Sequence, residues 1–228
     1  VFFGVNDIPY ALSFDKDPQI TGVVEKVSIS ETVKVIRDTV CQSRPFVAVS
    51  DSTESGDATT KQFEQNMKDM GITDYELLSL KQLRFDEVLD KLHSKPPPCA
   101  ILLLAMYRDY TGATQEFDQS LNSIEQNTSA PIFHLWYHGM GHGALGGKLV
   151  SHRRQAATAS RIALRILEGN ATPELPVVQD SPNEFVFDYR QLSRYGLTLD
   201  DVPPNSRIMN KPDSLFYRYR LYFFSLLA

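Results

Sequence analysis

Three histidines recur at a spacing of four, His134, His138 and His142, beside the aromatic pair Trp136 and Tyr137. On a helix that spacing would align three imidazoles along one face and offer a metal site. The surrounding residues argue against a helix. Residues 132–136 read as a short apolar strand, glycine fills positions 139, 141, 143, 146 and 147, and no acidic residue stands close by in the chain. No metal and no cofactor is expected. His138 and His142 read instead as hydrogen-bonding groups of a pocket, or as partners of loop carbonyls. Glycines this dense allow φ > 0 conformations and close backbone approach. A strand that ends in such a loop, Gly141 included, is where an open α/β sheet holds a ligand.

Other strand ends carry polar groups as well. Asn6 and Asp7 follow an apolar run at 1–5, where they face a ligand or form an Asx turn. Thr21 and Gly22 lie in a second short extended piece. Ser50, Asp51, Ser52 and Thr53 close a strand and lead through Glu54, Ser55 and Gly56 into a helix. Hydroxyls, a carboxylate and helix N-terminal N–H groups converge there, which suits a small polar or anionic ligand. The same residues also serve as helix caps, and both readings stay open. The loop lacks the lysine of a P-loop and is not Gly-x-Gly-x-x-Gly, so it carries no nucleotide motif. Tyr107, Trp136 and Tyr137 stand at strand ends, where a ring stacks on a ligand or covers the sheet edge.

Hydrolytic signatures are absent from the sequence: there is no Gly-x-Ser-x-Gly elbow and no His-Glu-x-x-His. Asp200 and Asp201 sit in a proline-rich loop and read as solvated. The expectation is a protein that is not an enzyme. An α/β enzyme using His138 or His142 as acid or base is the reading from another class.

The elements that must position these residues follow a regular alternation. A helix is expected over 29–41, with Ser28 as N-cap and Glu31 at N3 of a capping box. Strands at 46–50, 75–80, 100–106 and 132–136 then alternate with helices at about 57–70, around Phe85–Leu92 and around Phe117–Ile124. The run at 100–106 is apolar almost throughout, as a strand buried on both faces requires. Strict βα alternation predicts an α/β fold, a parallel sheet with helices on both faces. A helix over 155–168, extended pieces at 176–178 and 184–189, and a short helix at 191–195 follow.

Composition sets the remaining bounds. The 228 residues are 42% hydrophobic and 22% charged, ordinary for a globular chain. A net charge of −5 argues against a nucleic-acid partner. Cys41 and Cys99 are too few for a disulfide framework or a zinc knuckle and read as buried thiols, with a pairing as the alternative. No apolar run reaches the roughly 18 residues of a spanning helix, and no signal peptide is visible. Both ends fall inside apolar stretches and read as cut edges of a longer protein.

Several of these segments, taken together, resemble a known family. Gly4-Val5-Asn6-Asp7, Thr21-Gly22-Val23, the strand ending Ser50-Asp51-Ser52-Thr53, and the run from Gly141 to Gly147 are similar to ABC-transporter substrate-binding proteins of the type I periplasmic-binding fold. Ser181-Pro182-Asn183, Phe187-Asp188-Tyr189, Arg194-Tyr195-Gly196, Asn210-Lys211-Pro212 and Ser214-Leu215-Phe216-Tyr217 resemble the branch fused to bacterial sensor proteins such as histidine kinases. The resemblance implies two α/β lobes joined by hinge strands, with a small organic solute, amino-acid-like or aromatic, held in the cleft. It assigns 43–147 to one complete lobe, and 1–42 plus 148–228 to a partial first lobe and juxtamembrane tail. It implies ligand contacts from Asn6, Asp7, Thr21, Gly22, Ser50, Asp51, Ser52, Thr53, Tyr107, Trp136, Tyr137, His138, Gly141 and His142. It also implies an extracytoplasmic domain, anchored to the inner membrane through the parent protein and linked to a cytoplasmic signalling module. In the family the first lobe begins about 100 residues earlier, the usual scale of such a lobe. A partial sheet then exposes an edge that invites pairing with another chain, so a homodimer is one expected assembly.

Overall fold

The computed structural model describes residues 1–93 and 96–212. Two sheets organise them. The smaller pairs β1 (Phe2–Val5) with β2 (Gly22–Val24) in parallel. The larger has seven strands: β3 (Phe46–Ser50), β4 (Tyr75–Ser79), β5 (Ile101–Leu103), β6 (Ile132–His134), β7 (Ala144–Leu149), β8 (Glu184–Asp188) and β9 (Arg207–Met209). Their order is β4-β3-β5-β6-β7-β8-β9, parallel from β4 through β7, with β8 antiparallel to β7 and β9 parallel to β8. The fold is the expected mixed α/β arrangement with a mostly parallel central sheet.

Alternation along the central strands explains the layering. Phe46, Ala48, Leu102 and Leu104 turn to one face, where they meet Ile29, Val33 and Ile36 of α2 (Ile29–Ile36) and Phe63 and Met67 of α3 (Glu54–Asp69). Val47, Val49, Ile101 and Leu103 turn to the other, against Phe85, Val88 and Leu92 of α4 (Phe85–Leu92) and Phe117, Leu121 and Ile124 of α5 (Phe117–Asn127). Because successive side chains point to opposite faces, a strand covered on both sides must be apolar at every position. Each fully buried aliphatic or phenyl side chain contributes about 1.5–3 kcal/mol.

The smaller sheet has its own packing. Val24, Ala11 and Val177 cluster with Phe2, Ile8 and Leu12, bringing in a short helix α1 (Ile8–Leu12). Val23 packs with Ala159 and Ile162 of α6 (His152–Leu167) and with Leu175. A last short helix, α7 (Tyr189–Arg194), follows β8 directly.

Several expectations change in detail. The capping box of α2 does not form: Ser28 makes no side-chain cap bond, its hydroxyl accepts from Asn183 Nδ2 at 2.9 Å, and Glu31 pairs with Lys148. The helix continues as a π turn over Arg37–Cys41. Cys41 and Cys99 are not thiols but a disulfide, with Cα atoms 5.2 Å apart. The turn carries Cys41 to the start of β5, beside Cys99, which spacing alone does not reveal. The glycines at 146 and 147 belong to β7, a strand the sequence reading missed. The expected lobe division grouped 148–228 with 1–42, but strand pairing places β8 and β9 in the larger sheet, and α2 packs on β7 and α3. The juxtamembrane expectation for residues 213–228 lies outside the described residues. Among the described residues, no helix is long and apolar enough to cross a membrane.

Candidate functional site

The parallel strands β3, β5 and β6 end side by side, and the residues after β1 and β2 face those ends across a cavity of about 190 Å³. Asn6, Glu25 and His152 line it from the side of the smaller sheet. Thr53, Ser55, Gly56 and Thr59 line it from α3, and Leu104, Ala105, Tyr107, His134, Trp136 and His138 from the ends of β5 and β6.

Local backbone pairing fixes the aromatic wall. Val150 donates to the Leu135 carbonyl at 2.8 Å and accepts from the Tyr137 N–H at 3.1 Å, which holds Trp136 between two bonded neighbours. Its indole Nε1 donates to Glu25 Oε1 at 3.0 Å. Glu25 follows β2 and is only 6% exposed. Its second oxygen lies 3.1 Å from His152 Nε2, at the first turn of α6. A buried carboxylate is expensive unless hydrogen-bonded, and here a donor meets each oxygen.

The imidazoles form a directed chain. His134 Nδ1 lies 2.7 Å from the Leu103 carbonyl, which only accepts, so Nδ1 carries the proton. Burial holds the His134 pKa down at about 3, with the nearby His138 adding to the effect, so the ring is neutral at pH 7 and Nε2 is bare. His138 Nε2, 3.3 Å away, donates to it. Burial, and to a lesser degree the charge of His152, push His138 below the ordinary imidazole range as well. The Tyr107 hydroxyl sits 3.4 Å from that same His138 nitrogen. Facing a donor, it retains its own proton for an acceptor in the cavity. Burial and the carboxylates of Asp51, Glu116 and Asp118 raise its pKa further, so it stays protonated.

The N-terminus of α3 is braced by a fully buried carboxylate. Asp51 Oδ1 accepts from the Thr53 hydroxyl at 2.6 Å and the Thr53 N–H at 3.0 Å, and Oδ2 accepts from the Tyr107 N–H at 2.7 Å. The Thr53 hydroxyl in turn caps the Gly56 N–H at 2.9 Å. A Cβ at Gly56 would fall 1.9 Å from Asp51 Oδ1, so glycine is what admits the brace. Asn6 Nδ2 donates to Ser55 Oγ at 3.1 Å, joining the two sides of the cavity.

Of the residues expected to bind ligand, the structure brings Asn6, Thr53, Tyr107, Trp136 and His138 to this cavity. The others have local work. Asp7 caps α1 by accepting from the Tyr10 N–H, the Thr21 hydroxyl donates to the Leu175 carbonyl at 2.6 Å, and Gly22 packs against Phe2 within β2. Ser50 faces Ser79, Asp51 is the brace, and the Ser52 hydroxyl donates to the Asp109 carbonyl at 3.0 Å. Tyr137 points its hydroxyl at Met209 Sδ, 3.2 Å away, beneath the Arg207 guanidinium. Gly141 and His142 lie exposed in the turn before β7. With His142 outside, the spacing of four brings together two imidazoles, His134 and His138, and not three. Sequence reasoning missed Glu25, Ser55, Thr59, His134 and His152. For Ser55 and Thr59 a signal existed, since helical spacing from the Thr53 cap turns both toward the same side. Glu25 and His152 reach the site only through tertiary folding.

A larger concavity, about 860 Å³, lies at the opposite end of β3 and β4, between residues 44–47 and the prolines at 96–98. Among the described residues that line it there is no imidazole and no buried carboxylate.

No protein-family model matches the sequence, and no curated protein matches it significantly. Solved structures do match. A ligand-free, open substrate-binding protein with adhesive properties from Clostridium difficile aligns with a TM-score of 0.63 at 13% identity, over 92% of this chain and 67% of that one. An ABC domain from Streptococcus pneumoniae in complex with L-Trp aligns with a TM-score of 0.61 at 16% identity, over 90% of this chain and 71% of that one. The chain has a substrate-binding-protein fold. A conserved domain protein from Vibrio cholerae shares it, with a TM-score of 0.61 and 17% identity over 90% of this chain and 67% of that one.

Proposed function

We propose that this chain is a non-catalytic, extracytoplasmic solute-binding domain that holds a small organic molecule in the cavity between its two sheets. One lobe is the seven-stranded sheet with its helices, and the other is the two-stranded sheet with α1 and α6. The observation that carries the reading is the composition of the cavity. Asn6, Glu25 and His152 come from one side and meet Thr53, Ser55, Tyr107 and Trp136 from the other. A solute seated there touches both lobes and stabilises the closed arrangement by its differential affinity for it. The L-Trp bound by one structural neighbour supports an aromatic or amino-acid-like solute. The Cys41–Cys99 disulfide supports folding in an oxidising compartment.

In this reading the domain is the sensor part of a membrane-anchored signalling protein, and the exposed face of β1 offers the edge for a dimer. The second reading, a substrate-binding protein of an ABC transporter, shares every feature of the site. The reading frame beyond Ala228 separates the two: a spanning segment followed by a kinase or cyclase module supports the sensor, and a stop codon supports transport. Solute binding itself is tested by thermal denaturation against a broad metabolite library. At a hundredfold excess over Kd a true ligand stabilises by about 2.7 kcal/mol, an easily read rise in Tm. A library that leaves Tm unmoved overturns the proposal.

A further inference from the structure

Resting on that reading, we infer that the cavity selects an organic ammonium ion: a primary amine carried on a small aromatic or planar body, with Glu25 as its anchor. Apart from the titratable imidazoles of His134, His138 and His152, the charged groups around the cavity are carboxylates. Glu25 lines it directly, and no lysine or arginine does. Asp51, Glu116 and Asp118 all act on the Tyr107 ring, and Asp118 and Glu25 on the His138 ring. Of the three imidazoles at the wall, His134 and His138 are held below the ordinary imidazole range by burial, and the Nε2 proton of His152 is already committed to Glu25. A carboxylate or phosphate entering the cavity meets hydroxyls and the N-terminus of α3, but no lysine or arginine, and faces the Glu25 carboxylate.

An ammonium ion meets the complementary set. A carboxylate accepts at about four lone-pair positions, and Trp136 and His152 occupy one on each oxygen of Glu25. The remaining positions are available to N–H donors. Asn6 uses its Nδ2 on Ser55 and so keeps its carbonyl oxygen as a second acceptor. Trp136 and Tyr107 supply aromatic rings, which attract a desolvated cation and pack against a flat body. Charge-assisted hydrogen bonds to a buried carboxylate are roughly twice as strong as neutral ones. Glu25 therefore discriminates as well as binds. The cavity volume, below the roughly 300–1,000 Å³ of most ligand pockets, restricts the body to a single small ring system unless the lobes part further.

Matched probes test this on the full chain. Phenethylamine, 2-phenylethanol and 3-phenylpropanoate present the same ring with an ammonium, a neutral or an anionic head. By calorimetry, phenethylamine should bind at least tenfold more tightly than either of the others. Glu25→Gln should remove that preference. The ranking is read on the wild-type protein, so it stands even if the variant does not fold. Equal affinity for all three heads, tighter binding of the carboxylate, or undiminished phenethylamine binding in a folded Glu25→Gln protein would each overturn the assignment. If the library yields ligands but none is an amine, the cation assignment fails and solute binding survives. If nothing binds at all, both fail.

Discussion

Glu25 and Trp136 stand 111 positions apart and share one hydrogen bond of 3.0 Å. Removing the indole N–H leaves a buried oxygen short of its donor, so Trp136→Phe should cost about 1–3 kcal/mol, measured as a lowered urea midpoint at unchanged slope. His134 makes a second residue-scale prediction. Its native pKa of about 3 lies well below the ordinary imidazole value of 6.5. Between those two pH values the unfolded chain binds a proton that the native state refuses. Stability therefore rises with pH across this window, and the contribution is complete above 6.5 and lost as pH falls toward 3. His134→Asn keeps a donor for the Leu103 carbonyl and removes the titration. The slope of stability between pH 6 and 4 should drop by close to 1.4 kcal/mol per pH unit, and an unchanged slope would contradict the assigned neutral state. At this scale the site was half legible. Hydroxyls and rings at strand ends announce themselves because a strand end is a fixed place. A lone glutamate after a short strand looks like any surface carboxylate until the fold buries it.

The glycine-rich stretch teaches a different lesson at the scale of an element. Glycine density was read as room for a ligand, but Gly146 and Gly147 serve strand pairing. Gly146 adopts φ of +143°, and a Cβ there would fall 2.1 Å from the Val186 carbonyl of β8. Gly146→Ala should destabilise by on the order of 3 kcal/mol, through strain plus overpacking. Hydrogen exchange should show the loss concentrated in β7 and β8. A neutral substitution would mean that the two strands can part without penalty. Helices α3, α4 and α5 were legible because their apolar residues recur with the helical period. Strand β7 was not, since Ala-Leu-Gly-Gly-Lys-Leu has neither alternation nor β-branched residues. The short helix α1 was hidden by its proline and by the polar residues around it.

For the molecule as a whole, the disulfide closes a loop of 58 residues that contains β3, α3, β4 and α4. Loop-closure entropy for that length is about 4 kcal/mol at 25 °C. The double variant Cys41→Ala, Cys99→Ala should lose roughly that much, seen as a lower denaturation midpoint, and reducing agent should do the same to the native protein and nothing to the variant. Fold class was readable at this scale because βα alternation leaves few topologies. Sheet membership was not, because residues 184–188 and 207–209 carry no mark of direction. They pair beside β7 only because the chain has by then crossed to the smaller sheet, through α6, and come back.

That return has a mechanical result. Strands β8 and β9 run against β3 through β7, so the backbone at Met209 finishes at the opposite end of the sheet, yet its sulfur meets the hydroxyl of Tyr137, the neighbour of Trp136. Asn210, Lys211 and Pro212 depart from there. Under the proposed function, a solute pressing on Trp136 lies one residue from Tyr137, whose ring and hydroxyl touch Arg207 and Met209. Its arrival would then reach residues 207–212 through a single tyrosine, with no need for the whole slab to tilt.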